Sequence, residues 1–349
     1  MISQQNEKEK LKNVNIKTVA QLSGVSIATV SNVITGKKYV SPEVTQRVLQ
    51  TIKKVGYTPN QIARSLKKKG TTFFGVMVPD VTNPFFAEIV RGIESVALEN
   101  GYQIFLCNTD GNVSREKATL KSFIEHYVEG IINVAPRMEE TALYTFIKRT
   151  PMVVVDRPIS FHDSFFGLVY TDNLTASSKL ARHFIQKGHT SFACLAGPLI
   201  VPNVRNRIAG FVGELQRLNI PQEKIIILHG EFKYESGFLL MEKLFTLKNH
   251  PTAIFACNDL MAWGAIEAAK KKGFQIPKDL AIAGFDNVFF SELINPSLTT
   301  INQEKFNAGV IATQMLLKIN TWKKSASVIP DNFSRTTILQ ADLIQRKST

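Results

Sequence analysis

The chain has 349 residues, of which 44% are hydrophobic, a length and composition that predict two or three packed units. Fibrous and disordered classes are excluded, and no stretch reaches the roughly 18 apolar residues that a membrane span needs. The formal charge of +13 is concentrated at one end, because the first 70 residues hold thirteen Lys and Arg against three acids. Such a local excess is expected for contacts to nucleic-acid phosphates.

The segment 18–31 has the pattern of a helix-turn-helix. Ala20 and Gly24 are small enough to let two short helices cross closely, and Ser26 is expected to cap the second helix. The first turn of that helix is then free to enter a major groove of DNA. Basic residues alternate with apolar ones here, which disfavours the alternative of a solubilising basic tail.

From Phe73 onward, short apolar runs alternate with amphipathic segments, a pattern that indicates parallel sheets covered by helices on both faces. Two series of runs predict two lobes. The predicted strands are Phe73–Val78, Tyr102–Leu106, Gly130–Val134 and Met152–Val155 in the first series, and Phe192–Leu195, Ile225–Leu228, Ala253–Ala256 and Leu280–Gly284 in the second. Ligands of open α/β sheets bind beyond the carboxyl ends of the strands, so polar loops there should converge on one cleft.

Cys107, Cys194 and Cys257 each lie at the end of an apolar run. An odd count without Cys-x-x-Cys spacing favours buried thiols over disulfides or a zinc site. The six His show no metal spacing, and no glycine-rich phosphate-binding loop is present. We therefore expect no cofactor, no metal and no catalytic residues.

These segments resemble the LacI/GalR family of bacterial transcription regulators from about Asn15 to the end of the chain. The motifs that carry the resemblance are Val19-Ala20, Gly24-Val25-Ser26, Thr29-Val30-Ser31, Ala63-Arg64-Ser65-Leu66, Val78-Pro79-Asp80, Asn83-Pro84-Phe85-Phe86, Val155-Asp156-Arg157, Asn258-Asp259 and Gly284-Phe285-Asp286. The resemblance implies an all-α helix-turn-helix headpiece (1–58), a hinge helix and linker (59–70), and an α/β two-lobed core like the periplasmic binding proteins (71–349). That core has two parallel sheets, and its lobes are not contiguous in sequence.

The resemblance also implies a set of DNA-contacting residues in the second helix and the hinge: Ser26, Ile27, Ala28, Thr29, Ser31, Asn32, Asn60, Ala63 and Leu66. Ala28 can offer only a methyl contact, and Asn32 stands where many relatives have Arg, so the operator should differ there. Leu66 is the expected minor-groove wedge. The alternative for Ile27 and Ala28 is that they pack beneath the headpiece.

An effector site is implied by residues that match the ligand set of ribose-binding proteins: Asn83, Phe85, Phe86, Asp156, Arg157, Arg207, Phe232, Asn258, Asp286 and Gln303, with Asn203 beside them. Phenylalanines offer flat faces to sugar C–H groups, and the polar residues hold hydroxyls. Three alternatives remain. Asp156 and Arg157 could pair across the interlobe hinge, Phe85 could belong to the hydrophobic core, and Asn83 could simply cap the following helix. Arg205 together with Arg207 would also suit the carboxylate of a sugar acid.

We thus expect a sugar-controlled DNA-binding regulator, and ribose or another pentose is the first candidate effector. Expected partners are double-stranded operator DNA, a small sugar and a second copy of the chain, since no heptad segment like that of tetrameric family members follows the core. A phosphocarrier corepressor is a further possibility. An enzyme is disfavoured by the lack of a nucleophile–base pair, and a transport protein by the lack of a secretory signal. We therefore expect a cytoplasmic, nucleoid-associated protein that does not contact a membrane.

Overall fold

The structure is a computed structural model that describes residues 14–36, 38–57, 71–160, 163–248, 250–325, 330 and 333–349. The predicted hinge residues Asn60, Ala63 and Leu66 lie outside these residues. Two compact units divide between Thr71 and Thr72, and each is described by itself.

The described part of the N-terminal unit contains three helices: α1 (Ile16–Ser23), α2 (Ile27–Thr35) and α3 (Pro42–Val55). Asn15 caps α1 through its side-chain oxygen, and Gly24 ends it in the left-handed conformation (φ 65°) that glycine adopts without strain. The small core is built on Val19, Val30 and Val48, which are fully buried. The predicted helix-turn-helix is present.

The first lobe of the larger unit contains a six-stranded parallel sheet in the order β11-β5-β4-β3-β1-β2. Its elements are β1 (Phe73–Val78), α4 (Pro84–Glu99), β2 (Gln103–Asn108), α5 (Val113–Glu125), β3 (Gly130–Val134), α6 (Glu140–Ile147), β4 (Met152–Val155), β5 (Phe166–Thr171), α11 (Lys305–Ser325) and β11 (Thr336–Leu339). Strands β3 and β4 are buried along their whole length, as expected for strands that are covered on both faces.

The second lobe contains a four-stranded parallel sheet in the order β7-β6-β8-β9. Its elements are α7 (Asn173–Gln186), β6 (Phe192–Ala196), α8 (Pro202–Arg217), β7 (Ile225–His229), α9 (Tyr234–Leu244), β8 (Ala253–Ala256), α10 (Asp259–Lys271) and β9 (Ala281–Ala283). Two short antiparallel strands, β10 (Thr300–Asn302) and β12 (Asp342–Ile344), follow. The chain crosses between the lobes three times, so the prediction of lobes that are not contiguous is confirmed.

All eight strands predicted from apolar runs are present, with ends that differ by at most two residues. The pattern missed β5, β10, β11 and β12. Strands β10 and β12 have three residues each, and the residues of β11 are only partly buried, so these strands have no continuous apolar run. Cys194 and Cys257 are buried as expected, whereas Cys107 on the edge strand β2 is only partly buried.

Candidate functional site

The second helix of the headpiece begins as predicted. The Ser26 hydroxyl accepts a hydrogen bond from the Thr29 backbone N–H at 3.1 Å, which satisfies one of the free donors of the first turn. Ile27 is 44% exposed and Ala28 is exposed, so neither is part of the headpiece core. The alternative in which they pack beneath the headpiece is therefore wrong.

Thr29, Ser31 and Asn32 are partly buried on the same helix, and Val30 alone points fully into the core. The described headpiece carries five cations, all of them exposed, against the single acid Glu43: Lys17, Lys38, Arg47, Lys53 and Lys54. A short helix with small polar and apolar groups outward, on a strongly basic unit, suits entry into a DNA groove with phosphates on either side.

The main cavity of the larger unit lies between the two lobes, at the carboxyl ends of both sheets, and has a volume of about 380 Å³. Nine of the eleven predicted effector residues line it: Asn83, Phe85, Phe86, Asp156, Asn203, Arg207, Phe232, Asn258 and Asp286. These residues come from segments that are up to about two hundred positions apart. The structure therefore brings together most of the residues that the resemblance implied.

Several helices begin at this cavity, because in a parallel α/β lobe the helices start where the strands end. Asn83 caps α4 by accepting from the Phe85 N–H at 3.0 Å, and Asn258 caps α10 by accepting from the Met261 N–H at 2.9 Å. Asn83 thus caps a helix, and it also lines the cavity, so capping is not its only role in the fold. The positive ends of these helix dipoles face the cavity, which favours oxygen atoms and negative charge there.

Arg207 is held rigidly in the wall of the second lobe. Its Nε donates to the Asn173 side-chain oxygen at 2.7 Å, its Nη1 donates to the Cys257 carbonyl, and its guanidinium lies 3.8 Å from the centre of the Phe285 ring. Only 4% of the residue is exposed. A guanidinium fixed in this way loses little freedom when it binds a ligand oxygen.

Asp286 lies beside Arg207, with its Oδ1 3.8 Å from the arginine Nη1 and 2.7 Å from the Gln303 amide nitrogen. Burial is the main influence on this carboxyl, and it raises the pKa of Asp286 to about 8, although Arg207 acts in the opposite direction. Burial likewise raises the pKa of Asp156 to about 6. Two partly protonated carboxyls can both donate to and accept from hydroxyl groups.

A hydrogen-bonded contact between Asn203 and Asp156 joins the lobes across the cavity. The Asn203 amide nitrogen, on α8 of the second lobe, donates to the Asp156 backbone oxygen at 2.7 Å and to its Oδ1 at 2.9 Å. The Oδ1 of Asn203 is buried and has no hydrogen-bond partner among the described residues. It is thus an acceptor that a ligand hydroxyl can satisfy.

Four residues other than glycine line the cavity with positive φ: Asp110 (52°), Ala135 (47°), Asp156 (59°) and Asp286 (119°). Each follows the carboxyl end of a strand. Such backbone conformations cost about 1–3 kcal/mol each and concentrate at ligand sites, where the surrounding packing enforces them. The strain makes this cavity the candidate functional site of the core.

Arg157 and Gln303 are not brought to the cavity. The Arg157 guanidinium turns into the first lobe, where Nη1 donates to the carbonyls of Pro136 at 2.8 Å and Met138 at 2.6 Å. The positive φ of Asp156 turns the chain after β4, and these carbonyls hold Arg157, so the two side chains diverge instead of pairing across the hinge. Gln303 is buried behind Asp286 and contacts it.

Arg205 also lies outside the cavity, with its guanidinium bound to the carbonyls of Leu199 and Ile200. The charged lining residues that sequence reasoning missed are Asp80, Asp110, Arg137, Glu231 and Lys233. Asp80 belongs to the Val78-Pro79-Asp80 motif of the resemblance. All five residues follow a predicted strand, so their position alone made them candidates for the cavity lining. No residue-type pattern separates them from ordinary loop residues.

Sequence profiles identify both units. The profile of bacterial regulatory proteins of the lacI family matches residues 15–60, and the periplasmic binding protein-like domain matches residues 181–349. The HTH-type transcriptional repressor PurR of Aliivibrio salmonicida is 36% identical over 307 residues, which are 87% of this chain and 91% of the relative. The ribose operon repressor of Escherichia coli is 34% identical over 306 residues, which are 86% and 92% of the two chains.

Solved structures agree with this assignment. The lac repressor dimer bound to operator and the anti-inducer ONPF shares the fold with a TM-score of 0.82 at 24% identity, over 96% of this chain and 98% of that one. A LacI family transcriptional regulator from Enterococcus faecium with bound ribose has a TM-score of 0.70 at 30% identity, over 79% and 98%.

The chain therefore belongs to the LacI family of bacterial regulatory proteins. Like these relatives, it is a DNA-binding transcriptional repressor; it is not an enzyme. Within the described residues, no helix is both long enough and apolar enough to cross a bilayer.

Proposed function

We propose that this repressor is controlled by a small sugar bound in the interlobe cavity, with ribose or a close pentose as the first candidate. The observation that carries the proposal is that a rigid Arg207 beside Asp286, the unsatisfied Oδ1 of Asn203, and the aromatic rings of Phe86 and Phe232 line one cavity. Polyols are recognised by such fork-like polar groups over flat apolar surfaces. The names of two relatives, a ribose operon repressor and a ribose-bound regulator, support the pentose class.

The ligand is expected to act by favouring one arrangement of the lobes, since it binds residues of both. Calorimetry and operator binding in parallel test this proposal. We expect ribose or another pentose to bind at millimolar concentration or below and to change operator affinity. Absence of binding for every pentose, hexose and sugar acid would remove the assignment of the cavity and leave the DNA-binding function untouched.

For DNA we propose that the exposed Ile27 and Ala28 and the partly buried Asn32 of α2 contact base edges, while Thr29 and Ser31 contact phosphates. Replacing Asn32 with Ala should cost about 1–3 kcal/mol against the cognate base at one operator position. Equal loss on all sequences would instead indicate a phosphate contact. Such a function places the protein in the cytoplasm with the nucleoid.

We further propose that residues 59–70 link the headpiece (1–58) to the core (71–349) as a hinge helix that forms on DNA, with Asn60 as its cap and Ala63 and Leu66 against the minor groove. A gel-shift phasing assay of Leu66→Ala tests the wedge. We expect less bending and weaker specific binding, with nonspecific binding nearly intact. Unchanged bending would show that Leu66 only packs.

A second copy of the chain is the proposed partner, because a two-fold repressor matches a two-fold operator. Strand β2 is an edge strand of the first-lobe sheet, and its Phe105 and Leu106 are 41% and 44% exposed. In the second lobe, Phe289 and Leu293 are 69% and 75% exposed. Light scattering of Leu293→Asp should show monomers, whereas Leu174→Asp, on an exposed position of α7, should remain dimeric.

A further inference from the structure

The cavity has a cation that the expected sugar site does not use. Arg137 follows β3 in the first lobe and lines the cavity, and its side chain makes no hydrogen bond or ion pair with another described residue. Arg157 and Arg205, the cations that the sequence suggested, bind backbone carbonyls elsewhere. Arg137 and Arg207 are thus the arginines that face a ligand here.

The backbone of the loop that carries Arg137 is held by hydrogen bonds from two side chains. The buried carboxylate of Glu116 accepts from the backbone N–H groups of Arg137 at 2.8 Å and Met138 at 2.9 Å. From the other side, Arg157 donates to the carbonyls of Pro136 and Met138. Arg157 is therefore a positioning residue for this loop, and the loop's backbone is fixed before a ligand arrives.

The Arg137 guanidinium itself lies against Gly111, which follows β2. A β-carbon at Gly111 would come within 2.6 Å of the arginine Cζ and 2.7 Å of its Nε, so a larger residue at this position would displace the end of the Arg137 side chain. Gly111 also has a φ of +60°. The planar guanidinium of Arg137 thus lies against the backbone of Gly111, and both residues line the cavity.

None of the described acids forms an ion pair with the Arg137 guanidinium, although the charge of the Glu116 carboxylate, which holds the loop backbone, acts on it. Asp110 is paired with Arg115 and also accepts from the Asn108 amide, and Asp80 accepts from the backbone and hydroxyl of Thr82. On the opposite wall, exposed Glu231 is accompanied by exposed Lys233. Helix α5 begins two residues after Gly111 and adds the positive end of its dipole.

From this arrangement we infer that Arg137 binds an anionic group at the end of the effector, so that the preferred ligand is a pentose-class polyol with a terminal carboxylate or phosphate. This inference rests on the proposed sugar site and deepens it. Arg207 and Asp286 hold the hydroxyls, and the fork of the Arg137 guanidinium, which suits both anions, reads the terminal charge. A sugar acid and a sugar phosphate share this chemistry.

Calorimetry on the full chain with ribose, ribonate and ribose 5-phosphate tests the inference and separates the two anions. We expect one anionic pentose to bind at least about ten-fold more tightly than ribose, as one hydrogen-bonded charge pair implies. Arg137→Gln should remove that preference, so that the anionic pentose binds no more tightly than ribose does. Arg91→Gln, which removes an exposed arginine of α4, is the matched control and should keep the preference.

Gly111→Ala gives a second test that keeps the charge. Its β-carbon must displace the guanidinium, so the anion preference should fall by about ten-fold. Gly101→Ala is the control for backbone strain, because Gly101 has a φ of +75° and open space around its β-carbon position. Melting temperatures of both variants report any loss of folding.

The outcomes separate the two proposals. If ribose binds as tightly as both anions, or if Arg137→Gln keeps the preference, the anion site is overturned and the sugar site stands. If none of the three pentoses binds to the wild type, the proposed pentose effector fails and the anion site fails with it.

Discussion

The headpiece and the interlobe cavity solve the problem of recognition in opposite ways. In the headpiece, the candidate contact residues Ile27, Ala28 and Asn32 are neighbours in sequence, and they are presented outward by a core of a few valines. In the cavity, Asp156, Arg207 and Asp286 come from distant segments and are more than nine-tenths buried. An exposed surface recognises a rigid charged partner through many weak contacts, whereas a buried site recognises a small ligand through few strong ones.

The largest expected difference between the two regions is in their response to salt. Operator affinity should fall by roughly 10³–10⁵ between about 50 and 200 mM salt, because some six to ten phosphate contacts across a dimer release counterions. Affinity for neutral ribose should change little over the same range, since no charge is neutralised. Filter-binding and calorimetric titrations give both slopes. A flat operator plot would contradict a phosphate-contacting headpiece.

Arg207→Ala separates the regions by mutation. It should lower sugar affinity by about 100-fold or more, because the ligand loses a buried donor that is already fixed in place. Operator affinity without sugar should stay near the wild-type value. Arg217→Ala on the same helix removes an exposed arginine and serves as control. An Arg207→Ala repressor that still responds to sugar would show that the cavity assignment is mistaken.

Val30→Ala tests whether the small headpiece core is separate from the larger unit. Removing two buried methyl groups should destabilise the headpiece by about 1–3 kcal/mol, while the core keeps its melting temperature. Hydrogen exchange of α1 to α3 against the strands of the core measures both. Leu22→Ala, at a 61% exposed position, should have little effect on either. Equal destabilisation of the two units would show that they unfold together.

The smallest expected effect concerns the pH dependence of the ligand-free core. Because the pKa of Asp286 is about 8 in the folded protein, above its ordinary value of 3.8, the stability that its protonated form contributes is lost as pH rises toward 8. Asp286→Asn should therefore raise the melting temperature by at least about 2 °C at pH 8, and by less at pH 5. Asp342→Asn, with an exposed carboxylate, should show no such difference between the two pH values.

The headpiece and the core also differ in how far the sequence predicted their structure. The helix-turn-helix, its cap at Ser26 and its exposed Ile27 and Ala28 depend on residues within one or two turns, so a local pattern was enough to predict them. Most of the parallel strands were likewise visible as apolar runs. Strand β11 was missed because its residues are only partly buried, and its place at the sheet edge beside β5 depends on a pairing across more than 160 positions.

The resemblance to the family supplied the candidate set for the cavity, but it did not indicate where each side chain points. Asp156 and Arg157 are adjacent in sequence and look equally suited to a ligand. The positive φ of Asp156 and the carbonyls of Pro136 and Met138 direct one into the cavity and the other into the lobe. Arg137, an ordinary loop residue by sequence, lines the cavity because Gly111 leaves room for its side chain.

The sequence by itself determined the class of the protein, its two kinds of unit and the chemistry of its candidate ligands, because these depend on residue type, periodicity and short spacing. Only the tertiary structure decided which arginines face the ligand and which carboxyls lose their charge. Both outcomes are set by burial and by hydrogen bonds between distant segments, and neither quantity is defined until the lobes have folded around one cavity.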